Sequence, residues 1–203
     1  MITSPNKFIV IEGLDGSGKT TAAKLLAERF LASNMPCHST CEPTKNPIGL
    51  LIRQVLTGQI KDIENEALAL LFTADRYQHL TTEILPALAN SHVICDRYYY
   101  SNMAYQGIDP QTMARVIAYH QGILPIRKPD IVFFINVTPA ECIRRVASRG
   151  EAASIYEALP ELELRYSRYQ AAFEYMKQED NIVIVGTDTM TPEEIVEEMW
   201  RVV

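Results

Sequence analysis

Short apolar runs alternate along the chain with segments in which apolar residues recur at helical spacing. The runs are Lys7–Glu12, a weaker one at Cys37–Cys41, His92–Cys95, Ile131–Val137 and Ile182–Val185. The segments with helical periodicity are Lys19–Ala32, Ile48–Leu56, Glu64–Leu85 and Tyr156–Gln178. Runs such as Ile131–Val137 are apolar on both faces, which is typical of buried parallel strands. The alternation predicts an α/β fold with a five-stranded parallel sheet and helices on both faces.

Two further helices have well-marked beginnings. Thr138 and Thr191 are each followed by Pro at the first helical position and Glu at the third, a pattern that favours a capped helix start. No repeat or flexible linker interrupts the sequence, so we expect residues 1–203 to form a single domain. Ligands of such folds bind at the carboxyl ends of the strands, and candidate chemistry is therefore expected there.

Composition and charge exclude several classes of protein. The chain has 203 residues, of which 47% are hydrophobic and 22% charged, and this balance excludes global disorder. The net charge of −6 argues against binding nucleic acid through bulk positive charge and against a polybasic membrane anchor. No apolar run is long enough to span a membrane, and residues 1–7 lack an export signal. We therefore expect a cytoplasmic protein that binds neither nucleic acid nor membrane.

The cysteines predict neither a disulfide scaffold nor a zinc site. Four cysteines are too few for a scaffold held by disulfides. Cys37, His38 and Cys41 are close enough to suggest a metal site, but no second pair of ligands follows at zinc-finger spacing. Buried or half-buried thiols are the better interpretation.

The segment Gly13–Thr20 carries a specific nucleotide-binding motif. It matches G-x-x-x-x-G-K-[ST], follows a predicted strand and opens a predicted helix, which is the context that the motif requires. The alternative is an ordinary glycine-rich turn. In a phosphate loop, backbone amides surround the phosphates, Lys19 reaches the β- and γ-phosphates, and the Thr20 hydroxyl ligates Mg²⁺. The predicted ATP-binding residues are Gly13, Leu14, Asp15, Gly16, Ser17, Gly18, Lys19, Thr20 and Thr21.

With this loop, the predicted fold becomes a three-layer α/β fold of the P-loop NTPase type. A GTPase would need an Asn-Lys-x-Asp segment that reads guanine, and the nearest candidate, Thr44–Pro47, lacks the Asp. ATP is therefore the expected phosphoryl donor, by elimination.

Further segments carry a resemblance to a known family. They are the strand end Asp96–Tyr98, the stretch Ser101–Gly107, Leu70–Arg76 on a predicted helix, Glu42–Pro43 and Ile52–Arg53. With the phosphate loop, and in the same order over about residues 8–185, they make the chain resemble the thymidylate kinases (dTMP kinases) of bacterial type. The resemblance implies a nucleoside monophosphate kinase that transfers the γ-phosphoryl group of ATP to dTMP, giving dTDP and ADP. It also implies a homodimer.

The resemblance places the acceptor site as well. Guanidinium groups suit a monophosphate because they stay charged and bind bidentately, and Arg97 and Arg53 match the acceptor-phosphate contacts of the family. Phe72 and Arg76 share one helix face and match the pair that stacks on thymine and hydrogen-bonds its O4. Phe72 taken alone is more often a core residue, and the alternative for Arg53 is a solvated helix residue. The other matches are Asn102 at the base edge, Ser101 and Gln106 in the same pocket, and Tyr105 beside the deoxyribose, where a 2′-hydroxyl would clash.

Two carboxylates are expected near the reacting phosphates. In the family, the acid that matches Asp15 contacts the acceptor 3′-hydroxyl and lies near the metal. Asp96 ends its strand as the metal-side acid of phosphate-loop folds does, so Thr20 and Asp96 are the expected Mg²⁺ residues. The alternative for Asp96 is a structural bond to Arg97.

The chain departs from the family in its arginines. Family members usually place a mobile arginine on the transferring phosphoryl group, from the phosphate loop or from a lid. No Lys or Arg occurs from position 150 to 164, which includes most of the predicted lid at about 149–157, and Cys41 replaces an Arg of many bacterial members. We expect Arg149 to do this work, with Arg145 second, which makes the expected catalytic residues Lys19, Arg97, Asp15 and Arg149. The alternatives are that Arg149 only bonds helix-end carbonyls, or that the enzyme works without such an arginine.

Two rival functions stay open. One is a kinase for another nucleoside monophosphate on the same fold, which would phosphorylate dCMP or dGMP as fast as dTMP or faster. The other is a non-enzymatic ATP-driven switch that binds a protein partner, which would hydrolyse ATP slowly and form no phosphorylated small product.

Overall fold

A computed structural model describes residues 6–123, 126–148 and 159–203 and contains a five-stranded parallel sheet. The strands are β1 (Phe8–Gly13), β2 (Cys37–Cys41), β3 (His92–Asp96), β4 (Ile131–Ile135) and β5 (Ile182–Val185). The helices are α1 (Lys19–Ala32), α2 (Pro47–Leu56), α3 (Asn65–His79), α4 (Leu85–Leu88), α5 (Tyr99–Gln106), α6 (Pro110–Ala118), α7 (Pro139–Ser148), α8 (Leu159–Met176) and α9 (Pro192–Trp200). Within the described ranges, no helix combines the length and the apolarity needed to cross a membrane.

The strand order is β2-β3-β1-β4-β5, with β1 at the centre. Ile9 of β1 is paired with Ile94 of β3 and with Ile131 of β4, and all of β1 is buried. At the carboxyl edge, Asp96 is paired with Cys41 of β2. The ends of β1, β2 and β3 therefore meet where a ligand of this fold class is expected.

Helices cover both faces of the sheet. On one face α1 packs against α9, and the rings of Phe30 and Trp200 lie 5.2 Å apart. On the other face α5 packs against α8, and Phe134 of β4 meets Phe173 of α8 at 4.8 Å between ring centroids. The predicted P-loop NTPase-type fold, a parallel sheet between two helical layers, is confirmed.

The helix predicted over Glu64–Leu85 is not one continuous α-helix. A π-helical segment, Leu80–Ile84, separates α3 from α4. Pro86 has no N–H to continue the ladder, and the hydroxyls of Thr81 and Thr82 donate to carbonyls one turn earlier. These groups disturb the α-helical hydrogen bonds locally, which hydrophobic spacing does not reveal.

The hydrogen bonds that cap the two predicted helix starts differ. At α9, Thr191 accepts from the Glu194 amide while the Glu194 carboxylate accepts from the Thr191 amide, as predicted. At α7, Thr138 accepts from the Glu141 amide at 3.3 Å, but its own amide donates to Asp188 at 2.7 Å. At α7 the carboxylate of Asp188 therefore accepts from the amide of the capping threonine, as the carboxylate of Glu194 does at α9.

Candidate active site

The predicted phosphate loop joins β1 to α1 at the carboxyl edge of the sheet. Gly16 and Gly18 have φ angles of 87° and 94°, a left-handed conformation that favours glycine. A Cβ on Gly16 would lie 2.4 Å from the carbonyl oxygen of Cys142, so no larger residue fits there. Lys19 is buried, and its Nζ donates to the Leu14 carbonyl at 3.0 Å. Burial lowers the pKa of the Lys19 ammonium group.

A cavity of about 720 Å³ opens in front of this loop. Residues predicted for ATP and residues predicted for the acceptor line the same continuous space. Those in the lining are Asp15, Gly16, Gly18, Lys19, Thr20, Thr21, Arg53, Phe72, Asp96, Arg97, Ser101, Tyr105 and Gln106. Predicted residues that lie outside the lining are Gly13, Leu14, Ser17, Arg76 and Asn102.

Arg97 and Asp15 form an ion pair across the cavity. The Tyr105 hydroxyl donates to the second oxygen of Asp15 at 2.6 Å, and Lys19 Nζ lies 3.5 Å from the first. Another nitrogen of Arg97 donates to Ser101 Oγ at 2.9 Å. Burial raises the pKa of Asp15, but the charges of Arg97 and Lys19 outweigh it and hold that pKa well below its ordinary value. Asp15 is therefore an anion between two cations.

The backbone of Arg97 explains how its side chain reaches the loop. Arg97 has a φ of 71°, which is uncommon for a residue with a side chain. The chain thus turns sharply at the end of β3, before α5 begins at Tyr99. The turn aims the guanidinium at Asp15 rather than along the strand direction.

Thr20 and Asp96 offer a fitting pair of oxygen ligands for Mg²⁺. The Thr20 hydroxyl donates to one carboxylate oxygen of Asp96 at 2.5 Å. The other oxygen, Oδ1, is buried without a partner among the described residues. Hydroxyl and carboxylate oxygens are the donors that this hard cation takes in phosphate-loop folds. The alternative bond from Asp96 to Arg97 is absent from the described side chains, since Arg97 is directed to Asp15.

Arg53 is exposed and lines the same cavity. Its guanidinium donates to the main-chain carbonyl of Pro43, and its Nε donates to that of Thr44 at 3.4 Å. These carbonyls belong to the loop between β2 and α2, and they hold the arginine at the cavity. Cys41 lines the same cavity, and burial raises the pKa of its thiol.

Phe72 and Arg76 are placed differently, although both lie on α3. Phe72 is half-buried in the cavity lining, whereas Arg76 is 1% exposed behind it. Arg76 Nη2 lies 2.6 Å from a carboxylate oxygen of Glu42, and Nη1 lies 3.4 Å from Asn102 Oδ1 and from the ring nitrogens of His120. Burial and the nearby Arg76 charge lower the pKa of His120 well below its ordinary value. The imidazole is therefore neutral.

Arg76 determines how the side-chain amides of Asn102 and Gln106 are oriented. Because a guanidinium has no acceptor, the atom of Asn102 that faces Arg76 must be the oxygen. Asn102 Nδ2 then donates to Gln106 Oε1 at 3.0 Å. Gln106 lines the cavity, and its amide oxygen is the atom bonded to Asn102.

Glu12, which the sequence analysis did not single out, is fully buried at the end of β1. Its Oε1 accepts from the amides of Tyr98 and Ser101 at 2.8 and 3.1 Å, and its Oε2 accepts from the hydroxyls of Ser101 and Tyr169 at 2.6 and 3.0 Å. Burial raises the pKa of Glu12. This carboxyl caps α5, the helix that carries Ser101, Asn102, Tyr105 and Gln106. A carboxylate ending an apolar strand directly before the loop was the signal that could have revealed it.

The predicted lid, about 149–157, and Arg149 lie outside the described residues. The second candidate, Arg145, donates to Glu141 Oε1 at 2.7 Å and to the Asp188 carbonyl at 2.9 Å. Its Nη1 lies 3.4 Å from the carbonyl of Ser17 in the phosphate loop. Arg145 is thus held beside the loop by the residues around it.

Comparison with known proteins identifies relatives over nearly the whole chain. The family model described as thymidylate kinase matches residues 11–199. A probable thymidylate kinase from Methanococcus aeolicus is 39% identical over 97% of this chain and 95% of its own length. One from Thermococcus kodakarensis is 40% identical over 84% of this chain and 87% of its own length.

A solved structure of similar shape leads to the same family. The thymidylate kinase from Candida albicans has a TM-score of 0.79 and 26% identity, covering 97% of this chain and 90% of that one. The expectation of a bacterial type finds no support in these relatives, which are archaeal or eukaryotic. The coverage and the identity show that the chain belongs to the thymidylate kinase family.

Proposed function

We propose that the chain transfers the γ-phosphoryl group of ATP to dTMP, giving dTDP and ADP. The observation that carries this proposal is the single cavity in which the phosphate loop faces Arg97, Arg53 and Phe72. One nucleotide is held by the loop and the other by the arginines, with the two phosphate ends toward each other. The acceptor phosphate is anionic near neutral pH, so the reaction needs no general base.

On the donor side, the amides of the loop and Lys19 hold the ATP phosphates. Thr20 and Asp96 would hold Mg²⁺, which supplies charge neutralisation at the β- and γ-phosphates when bound. The partnerless oxygen of Asp96 supports this assignment. Asp96→Asn should raise the Mg²⁺ concentration needed for half-maximal rate about tenfold or more, since it removes the anionic ligand. An unchanged Mg²⁺ requirement would contradict the assignment.

On the acceptor side, Arg97 and Arg53 take the dTMP phosphate. In the ligand-free protein Arg97 is paired with Asp15, so an incoming phosphate competes with that carboxylate for the guanidinium. Asp15 then becomes available to the 3′-hydroxyl, the role that the family resemblance gives it. Binding thus exchanges one charged partner of Arg97 for another without leaving the cation unpaired.

Base recognition is assigned to Phe72, which stacks on thymine, and to the polar group formed by Arg76, Asn102 and Gln106. Because the oxygen of Gln106 is bonded to Asn102, the group it can offer a base is its amide donor, which suits a pyrimidine carbonyl and not an exocyclic amine and so favours thymine over cytosine. Ser101 lines the same pocket. The thymine methyl adds only about 1 kcal/mol by burial, so discrimination against dUMP is partial.

The phosphoryl-stabilising arginine is assigned to Arg149 in the lid, with Arg145 second. The contact of Arg145 with the loop carbonyl supports a place near the donor phosphates. An arginine at developing phosphoryl charge is worth about 10³–10⁵ in rate. Arg149→Ala should therefore lower kcat by orders of magnitude, and a kcat within a few-fold of the wild type would refute the assignment. Arg144→Ala is the matched control, because this residue is exposed and bonded to Glu141.

A homodimer belongs to the proposal. Leu70 and Tyr77 are 47% and 37% exposed, and their spacing of seven residues puts them on one face of α3. A second copy would cover this apolar face, as it would in the dimer that the resemblance implies. Light scattering should give twice the monomer mass, and Leu70→Glu should shift it toward the monomer. A monomeric wild type would contradict this part.

The reaction itself is tested by following ADP release in a coupled assay with ATP and dTMP, dUMP, dCMP, dGMP or no acceptor. We expect dTMP to be fastest, dUMP slower, and hydrolysis without acceptor slowest. Equal or faster turnover of dCMP or dGMP would favour a kinase for another nucleotide. Slow hydrolysis that no monophosphate stimulates would favour an ATP-driven switch. Fractionation of source cells tests the cytoplasmic location that we assign to a single-domain enzyme.

A further inference from the structure

Two guanidinium groups lie over the ring of Tyr105. Arg165 Cζ is 4.8 Å from the ring centroid, and Arg97 Cζ is 5.2 Å from it. The hydroxyl of the same ring donates to Asp15 at 2.6 Å. The ring is thus held at its hydroxyl by the phosphate loop and at its face by two cations.

Arg165 differs from Arg97 in its position. It lies on α8, it is 4% exposed, and it is absent from the residues that line the cavity. Its Nη2 lies 3.6 Å from a carboxylate oxygen of Glu161, one turn earlier on the helix. Burying a guanidinium is unfavourable unless polar or aromatic groups face it, and the ring of Tyr105 is such a group. The contact is therefore an integral part of this helix packing.

The two cations also differ in what substrate binding does to them. Arg97 is the proposed ligand of the acceptor phosphate, so its contacts change when dTMP enters. Arg165 does not line the cavity, so an entering dTMP has no direct contact with it that would displace it from the ring. The cation that holds the plane of Tyr105 in the loaded enzyme is therefore Arg165.

We propose that Arg165 is a positioning residue that sets the discrimination between 2′-deoxyribo- and ribonucleoside monophosphates. It acts through Tyr105 by keeping the ring against the sugar, so that a 2′-hydroxyl meets a ring that cannot yield. This inference rests on the proposed function, in which Tyr105 lies beside the deoxyribose. Without Arg165, the ring loses the guanidinium contact on its face and can tilt away from the sugar.

The test compares dTMP with ribothymidine 5′-monophosphate, which differs only by the 2′-hydroxyl, in Arg165→Gln, Arg165→Lys and the wild type. The ratio of kcat/KM for the deoxy over the ribo substrate should fall about tenfold in Arg165→Gln, the scale of one lost cation–ring contact. Arg165→Lys should lose less, because it keeps the charge without the flat guanidinium. Arg168→Gln is the control on the same helix and should keep the wild-type ratio.

The outcomes separate this inference from the proposed function. A wild type that does not phosphorylate dTMP overturns both. A wild type that prefers dTMP, with an unchanged ratio in folded Arg165→Gln, overturns the inference alone, and so does a parallel loss of both activities. A wild type that accepts both substrates equally overturns the inference too. If Arg165→Gln does not fold, the ratio is measured in Arg165→Lys. A ratio below that of the wild type then supports the inference, and an unchanged ratio overturns it.

Discussion

Replacing Glu12 separates the hydrogen bonds that this carboxyl accepts from the charge that it carries. The side chain is fully buried and accepts hydrogen bonds from two hydroxyls and two amides, one directly before α5 and one in its first turn. Glu12→Gln keeps an oxygen for the amides and turns an NH₂ group toward hydroxyls that can also accept. Glu12→Ala removes all four bonds and leaves a small void.

The expected magnitudes follow from these contacts. In Glu12→Ala, two buried amides lose their acceptor at about 1–3 kcal/mol each, so the free energy of unfolding should fall by about 3–5 kcal/mol. In Glu12→Gln, the fall should be about 1 kcal/mol, because the acceptor remains. Burial already raises the pKa of Glu12 toward the neutral form, which glutamine resembles.

Urea denaturation at pH 7, followed by circular dichroism, measures both differences. Glu174→Ala is the matched control, since its side chain is 71% exposed and should change the free energy of unfolding little. A Glu12→Ala variant within about 1 kcal/mol of the wild type would refute the capping role. Equal losses in the Ala and Gln variants would show that the charge, not the acceptor, stabilises α5.

Three further results are expected. Gly16→Ala should lower kcat/KM for ATP about a hundredfold by displacing the loop, whereas Gly58→Ala, at a similar φ of 72° with open space around it, should keep the wild-type value; equal effects would contradict the steric argument. Phe72→Ala should raise KM for dTMP about tenfold or more through lost stacking and leave KM for ATP unchanged in initial-rate assays. Because Arg97 holds the pKa of Asp15 below its ordinary value, the carboxylate stabilises the fold above about pH 4 and loses that effect at lower pH. The difference in free energy of unfolding between wild type and Asp15→Asn, measured by urea denaturation, should therefore shrink on acidification. A difference that grows would refute this prediction.

The fold was predictable because strand burial and helix periodicity are local properties of the sequence. The α1 and β2 bounds agree with their predicted runs, and β4 differs only in ending at Ile135 before Val137. Helices α5 and α6 were not predicted. Helix α5 is buried on almost every side, so its sequence lacks the polar face that periodicity detects.

The site was predictable to the extent that motifs mark it. The phosphate loop and the strand-end pair Asp96 and Arg97 are short and specific, and they meet at one cavity. Arg76 shows the limit of this prediction from motifs. Its spacing from Phe72 placed both residues on one helix face, but the spacing did not reveal that Glu42 holds Arg76 behind the cavity. Partners distant in sequence, such as Arg165 over Tyr105, come together only through the tertiary fold.

The central position of β1 also has a consequence for biosynthesis. Both of its neighbours come from later in the chain, at residues 92–96 and 131–135. As the ribosome extends the polypeptide, β1 has no strand to pair with until residue 96 has emerged and only one until residue 135 has emerged. Nucleotide binding can therefore stabilise the fold only after residue 135 has been synthesised, and shorter nascent chains should need protection of the apolar segment at residues 8–13.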